Sequence, residues 1–151
     1  MDLEKTKLLE QLEQYAGSKF EKSFSGAKGF VYYFSKLDVE GIKNVLSDDH
    51  SFDGDTKETY LELIEKAFDS LKHKGITSLE AYSGVCSGCI KGCYGFTFID
   101  AKKGYYIDII IEHDKKEITY AKECYGLRNN YNNLNKKQRL IMDPLLSCCL
   151  D

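Results

Sequence analysis

The sequence has no tryptophan, one proline and only three histidines in 151 residues. No apolar run approaches the roughly 20 residues that a helix needs to cross a bilayer, so we expect no membrane span. An excess of positive charge is also missing, because 21 Lys and Arg are set against 24 Asp and Glu, for a net charge of −3. This balance gives no general attraction to nucleic acid or to anionic lipid.

A secretion signal is not evident either, since residues 1–5 are charged and no apolar stretch follows them. We therefore expect a cytoplasmic location, where thiols stay reduced and a disulfide framework is disfavoured. The composition, 42% hydrophobic and 30% charged, is typical of a globular chain. Its length predicts one domain over 1–151, with a core at 27–127, an N-terminal helical extension at 1–26 and a C-terminal tail at 128–151.

Apolar residues at helical spacing predict three helical segments in the first third of the chain. The first lies within residues 2–16. After a loop at 17–28, the second covers residues 30–37, and a short continuation covers 39–46 with Asp38 as its cap.

The clearest helix is predicted over residues 57–73, where apolar side chains line one side. Asp55 and Glu58 have the spacing of a capping box at its start. Gly75 is expected to end it, because glycine readily adopts the left-handed conformation that follows many helices.

Four strand-like stretches follow, at 77–86, 93–101, 105–113 and 117–127. The turns between them are short, so the sequence predicts an antiparallel meander. The tail after residue 128 is predicted to be either a docked helical turn or an interaction segment. The expected fold class is α+β, with N-terminal helices packed on a curved antiparallel sheet.

Strand register predicts which thiols can meet. If Cys86 faces Cys93, then Ala81 faces Phe98, and one face of the hairpin becomes largely apolar. The next turn can place Phe98 opposite Ile107 on that same apolar face.

The turn at residues 115–116 would then place Ile107 opposite Cys124. Cys124 is thus predicted on the apolar face, roughly 20 Å from Cys86 and Cys93 at about 3.3 Å per residue. It is expected to be an ordinary core thiol, a frequent fate of free cysteine.

Cys86, Cys89 and Cys93 form a C-x2-C-x3-C pattern, and Gly88 and Gly92 would let the backbone curl around a metal. Zinc usually takes four ligands, so a fourth is needed. The candidates for it are Glu112, His113, Cys148 and Cys149. A one-residue slip near Gly104 would exchange the roles of Glu112 and His113. A redox role for the thiols and an inert cysteine-rich hairpin are the alternatives to zinc.

The stretch "Y-F-S-K-L-D-V-E-G-I-K-N-V-L-S-D-D-H-S-F", residues 33–52, together with the element order, resembles the nuclear transport factor 2-like superfamily. That resemblance covers about residues 27–127. It implies a cystatin-like α+β cone, in which the curved sheet encloses helices and an internal pocket. The superfamily includes steroid isomerases, dehydratases, polyketide cyclases and proteins that only bind ligands or partners, so the fold alone selects no activity.

The isomerase-like site of that superfamily uses a strand carboxylate as base and a helical tyrosine as hydrogen-bond donor. The resemblance implies Asp53 as base, or less well Asp55, but the expected tyrosine position falls on Phe30. Tyr33, about one helical turn away, or Tyr60 would then be the donor. Asp53 also fits a turn-forming aspartate in "D-G-D".

Two functions follow as hypotheses. The first is non-catalytic binding of a small hydrophobic ligand or a protein partner, in a pocket between the sheet and helix 57–73. The second is an isomerase or dehydratase that uses Asp53 as general base. Zinc is the one cofactor suggested, a homodimer is expected from analogy, and neither nucleic acid nor a membrane is expected as a partner.

Overall fold

A computed structural model describes residues 26–49, 52, 56–86, 94–114, 117–124, 127–129 and 134–142. Its helices are α1 (Gly26–Ser35), α2 (Val39–Val45) and α3 (Lys57–His73). Its strands are β1 (Glu80–Cys86), β2 (Tyr94–Ile99), β3 (Tyr105–Asp114), β4 (Glu117–Glu123), β5 (Leu127–Asn129) and β6 (Gln138–Arg139). Helices precede strands along the chain, so the α+β class is confirmed. The predicted helix at 2–16 lies outside the described residues.

Helix α3 has the predicted bounds but a different cap. The Thr56 side chain accepts a hydrogen bond from the Thr59 backbone N–H at 3.2 Å, so the capping residue is one position later than the predicted Asp55. Gly75, with φ of +82°, follows the helix end as expected. None of the helices in the described ranges is long and apolar enough to cross a membrane.

The junction between α1 and α2 is tight. Helix α1 begins at Gly26, inside the predicted loop, and ends before Leu37, which has φ of 56°. A left-handed leucine costs about 1–2 kcal/mol, which burial of its side chain offsets by about 1.5–3 kcal/mol. Asp38 accepts from the Gly41 backbone N–H at 3.1 Å and caps α2, as predicted.

The six strands form one sheet in the order β4-β3-β2-β1-β5, and β6 pairs in parallel with the start of β3. Strands β1 to β4 are the predicted antiparallel meander. Ala81 lies opposite Phe98, and Phe98 lies opposite Ile107, so the predicted register of the first two hairpins is confirmed.

One face of this sheet, the helix face, packs against the helices. Phe98 lies at its centre, with its ring centroid 4.3 Å from Phe34 and 6.3 Å from Phe30. Phe68 of α3 contacts the same group, 4.9 Å from Phe34 in an edge-to-face arrangement. Aromatic side chains therefore fill the middle of the layer between helices and sheet.

A β-bulge divides the pairing of β3 with β4. Tyr120 pairs with Glu112, whereas Ile118 pairs with His113, which leaves Thr119 as the extra residue on β4. The bulge allows Ile118 and a residue three positions later, Ala121, to join the same helix-side core.

The bulge makes the predicted position of Cys124 wrong. Beyond it, the register differs by one from the prediction, and the Cys124 backbone N–H donates to the Asp108 carbonyl rather than meeting Ile107. Cys124 is buried, but with Ile110 and Leu127 on the opposite side of the sheet, the back face. A one-residue change of register exchanges the faces of all later side chains.

The predicted strand at 117–127 is in fact two elements at opposite edges of the sheet. Leu127 lies across the back face, packed with Ile110 and Cys124, and β5 pairs with the far end of β1. Gly84 and Gly95 lie opposite each other beneath this crossing. A Cβ on Gly95 would collide with the Leu127 side chain, and a Cβ on Gly84 would lie 2.7 Å from the Arg128 carbonyl oxygen.

Residues 134–142 are named here the strap. They pair with the start of β3, at Tyr105 and Tyr106, a part of the strand that β4 does not reach. Gly104 accepts hydrogen bonds from the backbone of Lys137 and Gln138, and Leu140 donates to the Tyr106 carbonyl at 2.7 Å. The described part of the tail thus docks as an extended segment with a short strand, not as a helical turn.

Candidate functional site

The two tyrosines proposed as hydrogen-bond donors lie on different helices, Tyr33 on α1 and Tyr60 on α3. Tyr60 is fully buried on α3, and its ring stacks on Phe52 with the centroids 5.6 Å apart. Tyr33 is partly buried at the α1–α2 junction, where its ring covers Gly41 so closely that a Cβ there would overlap it. Asp53 lies outside the described residues, so its pairing with either tyrosine stays a prediction.

Of the three cysteines in the C-x2-C-x3-C pattern, Cys86 is among the described residues. Cys86 is the last residue of β1, and its backbone pairs with Leu127. Four other thiols of interest lie outside the described residues: Cys89, Cys93, Cys148 and Cys149. Within the described part of the chain, no group of three or more His, Cys, Asp or Glu side chains is arranged to hold a metal ion.

The register of β2 with β3 bears on the two strand candidates for a fourth ligand, which stay predictions. Strand β2 pairs with β3 without a slip, from Ile99 opposite Tyr106 to Tyr94 opposite Ile111. Continued by one residue, this register predicts Cys93 opposite Glu112, whose side chain is exposed. His113 is the next residue along and pairs with β4.

At the cysteine end of the sheet, the helix face includes residues that the described helices leave partly or largely exposed. Ser83 and Phe96 are directly opposite each other there, and Val85 follows two residues along β1, on the same side. Val85 is 69% exposed, Ser83 is exposed and Phe96 is half-buried. These three residues are named the mouth strip. It adjoins the aromatic core, because the Phe96 ring lies 6.2 Å from Phe98.

The back face contains a polar group that sequence analysis did not identify. Its residues, named the back-face cluster, are Thr97, Asp108, Asn129, Lys136 and Arg139. Asp108 and Thr97 are opposite each other on β3 and β2, and Thr97 Oγ1 lies 2.6 Å from Asp108 Oδ1. The side chain of Asp108 is 0% exposed.

Two cations reach Asp108 from the strap. Lys136 Nζ lies 3.1 Å from Asp108 Oδ2, and Arg139 lies 3.5 Å from the same oxygen. Both cations also lie over the Tyr106 ring, 4.8 Å and 5.1 Å from its centroid. Each remains 23% exposed, so the cluster has a dry carboxylate at its base and a wetter cationic rim.

Burial raises the pKa of Asp108 above its ordinary value. The hydrogen bond with Thr97 and the charges of Lys136 and Arg139 oppose this rise without cancelling it. Desolvation and the two cations therefore act on the charge of Asp108 in opposite directions, and desolvation is the larger influence.

Asn129 links the cluster to the edge of the sheet. Its Oδ1 lies 2.8 Å from Thr97 Oγ1, and its Nδ2 donates to the Ser83 carbonyl at 2.6 Å. A longer hydrogen bond, 3.3 Å, runs from the same nitrogen to the Tyr82 carbonyl. The side chain of Asn129 therefore fastens β5 to β1 beside their backbone pairing.

No family model, curated protein or solved structure matches the chain. The likeness to the nuclear transport factor 2-like superfamily thus rests on the sequence pattern alone. The α+β class follows from the structure, whereas the cone shape and the internal pocket stay predictions.

A signal for Asp108 was present in the sequence. It lies within "I-D-I-I-I", residues 107–111, and a carboxylate in the middle of a strand of isoleucines is unusual. The correctly predicted pairing of Phe98 with Ile107 already implied Thr97 opposite Asp108. Lys136 and Arg139 had no such signal, because nothing in the sequence fixes where the strap docks.

Proposed function

We propose that the protein is a non-catalytic binding protein, and that a small hydrophobic ligand binds at the mouth strip. The observation that supports this is the 69% exposure of Val85 on the same side of the sheet as the packed aromatic core. A contiguous apolar patch, rather than a single exposed side chain, is typical of a binding site, and here Val85 and Phe96 continue the apolar face that begins at Phe98.

The size of the strip favours a small ligand over a protein. A stable protein interface uses about 20–30 residues a side, whereas the mouth strip offers three in the described part of the chain. Phe34 and Phe98 are in contact deeper in the layer, so the ligand is expected at the end of the helix–sheet layer, next to Phe96.

The proposal predicts that Val85→Asp weakens binding of a hydrophobic probe. Placing a carboxylate against an apolar ligand should raise the Kd at least about tenfold, or about 1.4 kcal/mol. Arg128 lies opposite Val85 on β5, so an uncharged dye such as Nile red is the suitable probe. Binding is measured by fluorescence titration, and native mass spectrometry reports any ligand that stays bound through purification.

Ile141→Asp is the matched control, because Ile141 is also an exposed apolar residue, 50% exposed, but belongs to the strap, which pairs with β3 and not with β1. It should leave the dye affinity unchanged. Equal dye binding by wild type and Val85→Asp would contradict the proposal. A second protein or a second copy of the chain in the native mass spectrum, displaced by Val85→Asp, would indicate a protein partner in place of a small ligand.

We also propose that Cys86, Cys89 and Cys93 hold a structural zinc ion, with Glu112 as the fourth ligand. The support is the strand register, which predicts Cys93 opposite Glu112. Three thiolates and a carboxylate are ordinary zinc ligands, and such a site would pin the turn between β1 and β2.

The zinc proposal predicts about one zinc per chain in protein purified without chelator. Glu112→Gln should lower the zinc affinity by at least about tenfold, because one anionic ligand is lost, whereas His113→Gln should not change it. Elemental analysis and a competitive chelator titration measure both quantities. Zinc near zero, together with a melting temperature that a chelator does not shift, would exclude the site.

A further inference from the structure

Three oxygen atoms form a short row on the back face: Asp108 Oδ1, Thr97 Oγ1 and Asn129 Oδ1. The middle atom, Thr97 Oγ1, lies 2.6 Å from the Asp108 oxygen and 2.8 Å from the Asn129 oxygen. Two oxygen atoms at such a distance need a hydrogen between them. A threonine hydroxyl has one hydrogen to donate, so it can serve one of these two contacts and not both.

The orientation of the Asn129 amide is fixed by its other neighbours. Its nitrogen donates to the carbonyl oxygens of Ser83 and Tyr82. If the amide were turned over, its oxygen would point at two acceptors that have no hydrogen to give. The amide oxygen therefore faces Thr97, and the second hydrogen in the row has to come from Asp108.

We propose that Asp108 is a protonated, neutral carboxylic acid in this arrangement, and that loss of its proton releases Asn129 and loosens β5 from β1. In the neutral form, Asp108 Oδ1–H donates to Thr97, and Thr97 in turn donates to Asn129 Oδ1. The protonation state of Asp108 thus controls how firmly the edge strand β5 is attached to β1, and the back-face cluster is a one-proton switch.

Charged and titratable groups surround Asp108 on the elements packed against it. They are Glu80 and Tyr82 on β1, Lys122 on β4, Cys124 after β4, and Lys136 and Arg139 on the strap, together with Tyr106 on β3 itself. The hydroxyl of Tyr82 donates to Glu80 at 3.2 Å, so it does not supply the missing hydrogen. The cations contact Asp108 Oδ2, which leaves Oδ1 free to bear the proton.

Ionisation of Asp108 weakens the contact of the back-face cluster with β5 and strengthens its contact with the strap. When the proton leaves to bulk water, the Thr97 hydroxyl turns its hydrogen to the carboxylate, because a hydrogen bond to a charged acceptor is the stronger one. Thr97 Oγ1 and Asn129 Oδ1 then face each other without a hydrogen. Meanwhile the attraction of Lys136 and Arg139 to Asp108 increases, so the strap tightens while β5 loosens.

The pH dependence of stability has a definite sign. Burial raises the pKa of Asp108 in the folded chain, so its stabilising contribution is complete below the unfolded pKa and is lost as pH rises through the folded pKa. Over that interval the folding equilibrium constant should fall about tenfold per pH unit, relative to a variant that does not titrate at this position. A permanently ionised Asp108 in an ordinary ion pair would give the opposite slope.

Asp108→Asn is the decisive variant, because its amide N–H can replace the acid O–H as donor to Thr97. Urea unfolding is measured for wild type and variant from mildly acidic to mildly alkaline pH, with Asp69→Asn on the exposed side of α3 as the control. We expect the ratio of wild-type to Asp108→Asn folding constants to decline as pH rises, with no such decline for Asp69→Asn. A ratio that rises with pH, or an Asp108→Asn chain that fails to fold, would overturn the proposal.

A second measurement uses the wild-type chain alone. Carbon-13 NMR of the aspartate carboxyl groups reads the protonation of Asp108, and hydrogen exchange reads the protection of Leu127–Asn129, corrected for the intrinsic effect of pH on exchange. Protection of this strand should fall over the pH interval in which the Asp108 signal titrates, while Gln138–Arg139 keep theirs. The switch would be refuted if the carbon-13 signal shows Asp108 ionised at every pH at which the protein is folded. It would also be refuted if the protection of β5 does not change over the interval in which Asp108 titrates.

Discussion

Replacing Phe98 with alanine is expected to lower the free energy of unfolding by about 3–5 kcal/mol. Phe98 is fully buried at the centre of the helix face, and its ring contacts the rings of Phe30 and Phe34. Truncation removes these contacts and leaves a cavity that helices on one side and strands on the other cannot easily fill. Chemical denaturation of wild type and variant at one pH measures the loss.

Phe96→Ala provides a control that matches residue type, strand and sheet face. Phe96 is half-buried, so its truncation opens no closed cavity and should cost less than half as much. Equal losses for the two variants would mean that the aromatic group around Phe98 is not the centre of the core. Phe98→Leu, which keeps most of the volume, should cost less than Phe98→Ala.

The pattern of apolar residues was sufficient to predict the helix–sheet layer. Helix α3 has the predicted bounds because its buried side chains, Tyr60, Ile64, Phe68 and Leu71, repeat every three to four residues. The register of the first two hairpins was also predictable, since one arrangement places Ala81, Phe98 and Ile107 on a single face.

Prediction failed where geometry depends on contacts distant in sequence. The bulge at Thr119 cannot be predicted from the residues around it. It is favoured because it places Ile118 and Ala121 against helices that come much earlier in the chain. Cys124 was consequently assigned to the wrong face. The division of this stretch into β4 and β5 was missed for a related reason, because residues 117–127 alternate well enough to suggest one strand.

The two candidate sites also differ in whether they depend on local sequence pattern or on contacts distant in sequence. The mouth strip follows from the register of local hairpins, so a sequence could in principle reveal it. The back-face cluster joins β2, β3, β5 and the strap, and three of its five residues come from segments with no regular pattern. Its chemistry became evident from the distances between oxygen atoms, a quantity that no residue pattern contains.

The two glycines beneath the β4–β5 crossing also connect the fold to the cluster. Gly84 and Gly95 lie opposite each other where Leu127 crosses the back face, and Asn129 follows two residues later. The absence of side chains at both positions brings β5 close enough for Asn129 to reach Thr97.

Gly95→Ala is therefore expected to destabilise the fold by about 1–3 kcal/mol, the usual cost of overpacking. The sign of this stability change is informative, because at an ordinary strand position the replacement of glycine by alanine stabilises a protein by about 0.5–1 kcal/mol. Here a Cβ would overlap the Leu127 side chain and lie 2.9 Å from the Gly84 carbonyl oxygen. Denaturant unfolding gives the change, and hydrogen exchange at Leu127–Asn129 shows whether β5 is the part that moves.

A double-mutant cycle with Leu127→Ala separates the crossing from a general effect of alanine. Leu127→Ala alone should cost about 2–5 kcal/mol, because the side chain is buried. In that background Gly95→Ala should cost clearly less than in the wild type, since the nearest obstacle is gone and only the Gly84 oxygen remains. Equal costs in both backgrounds, or a stabilising Gly95→Ala, would show that β5 does not cross the sheet at this pair of glycines.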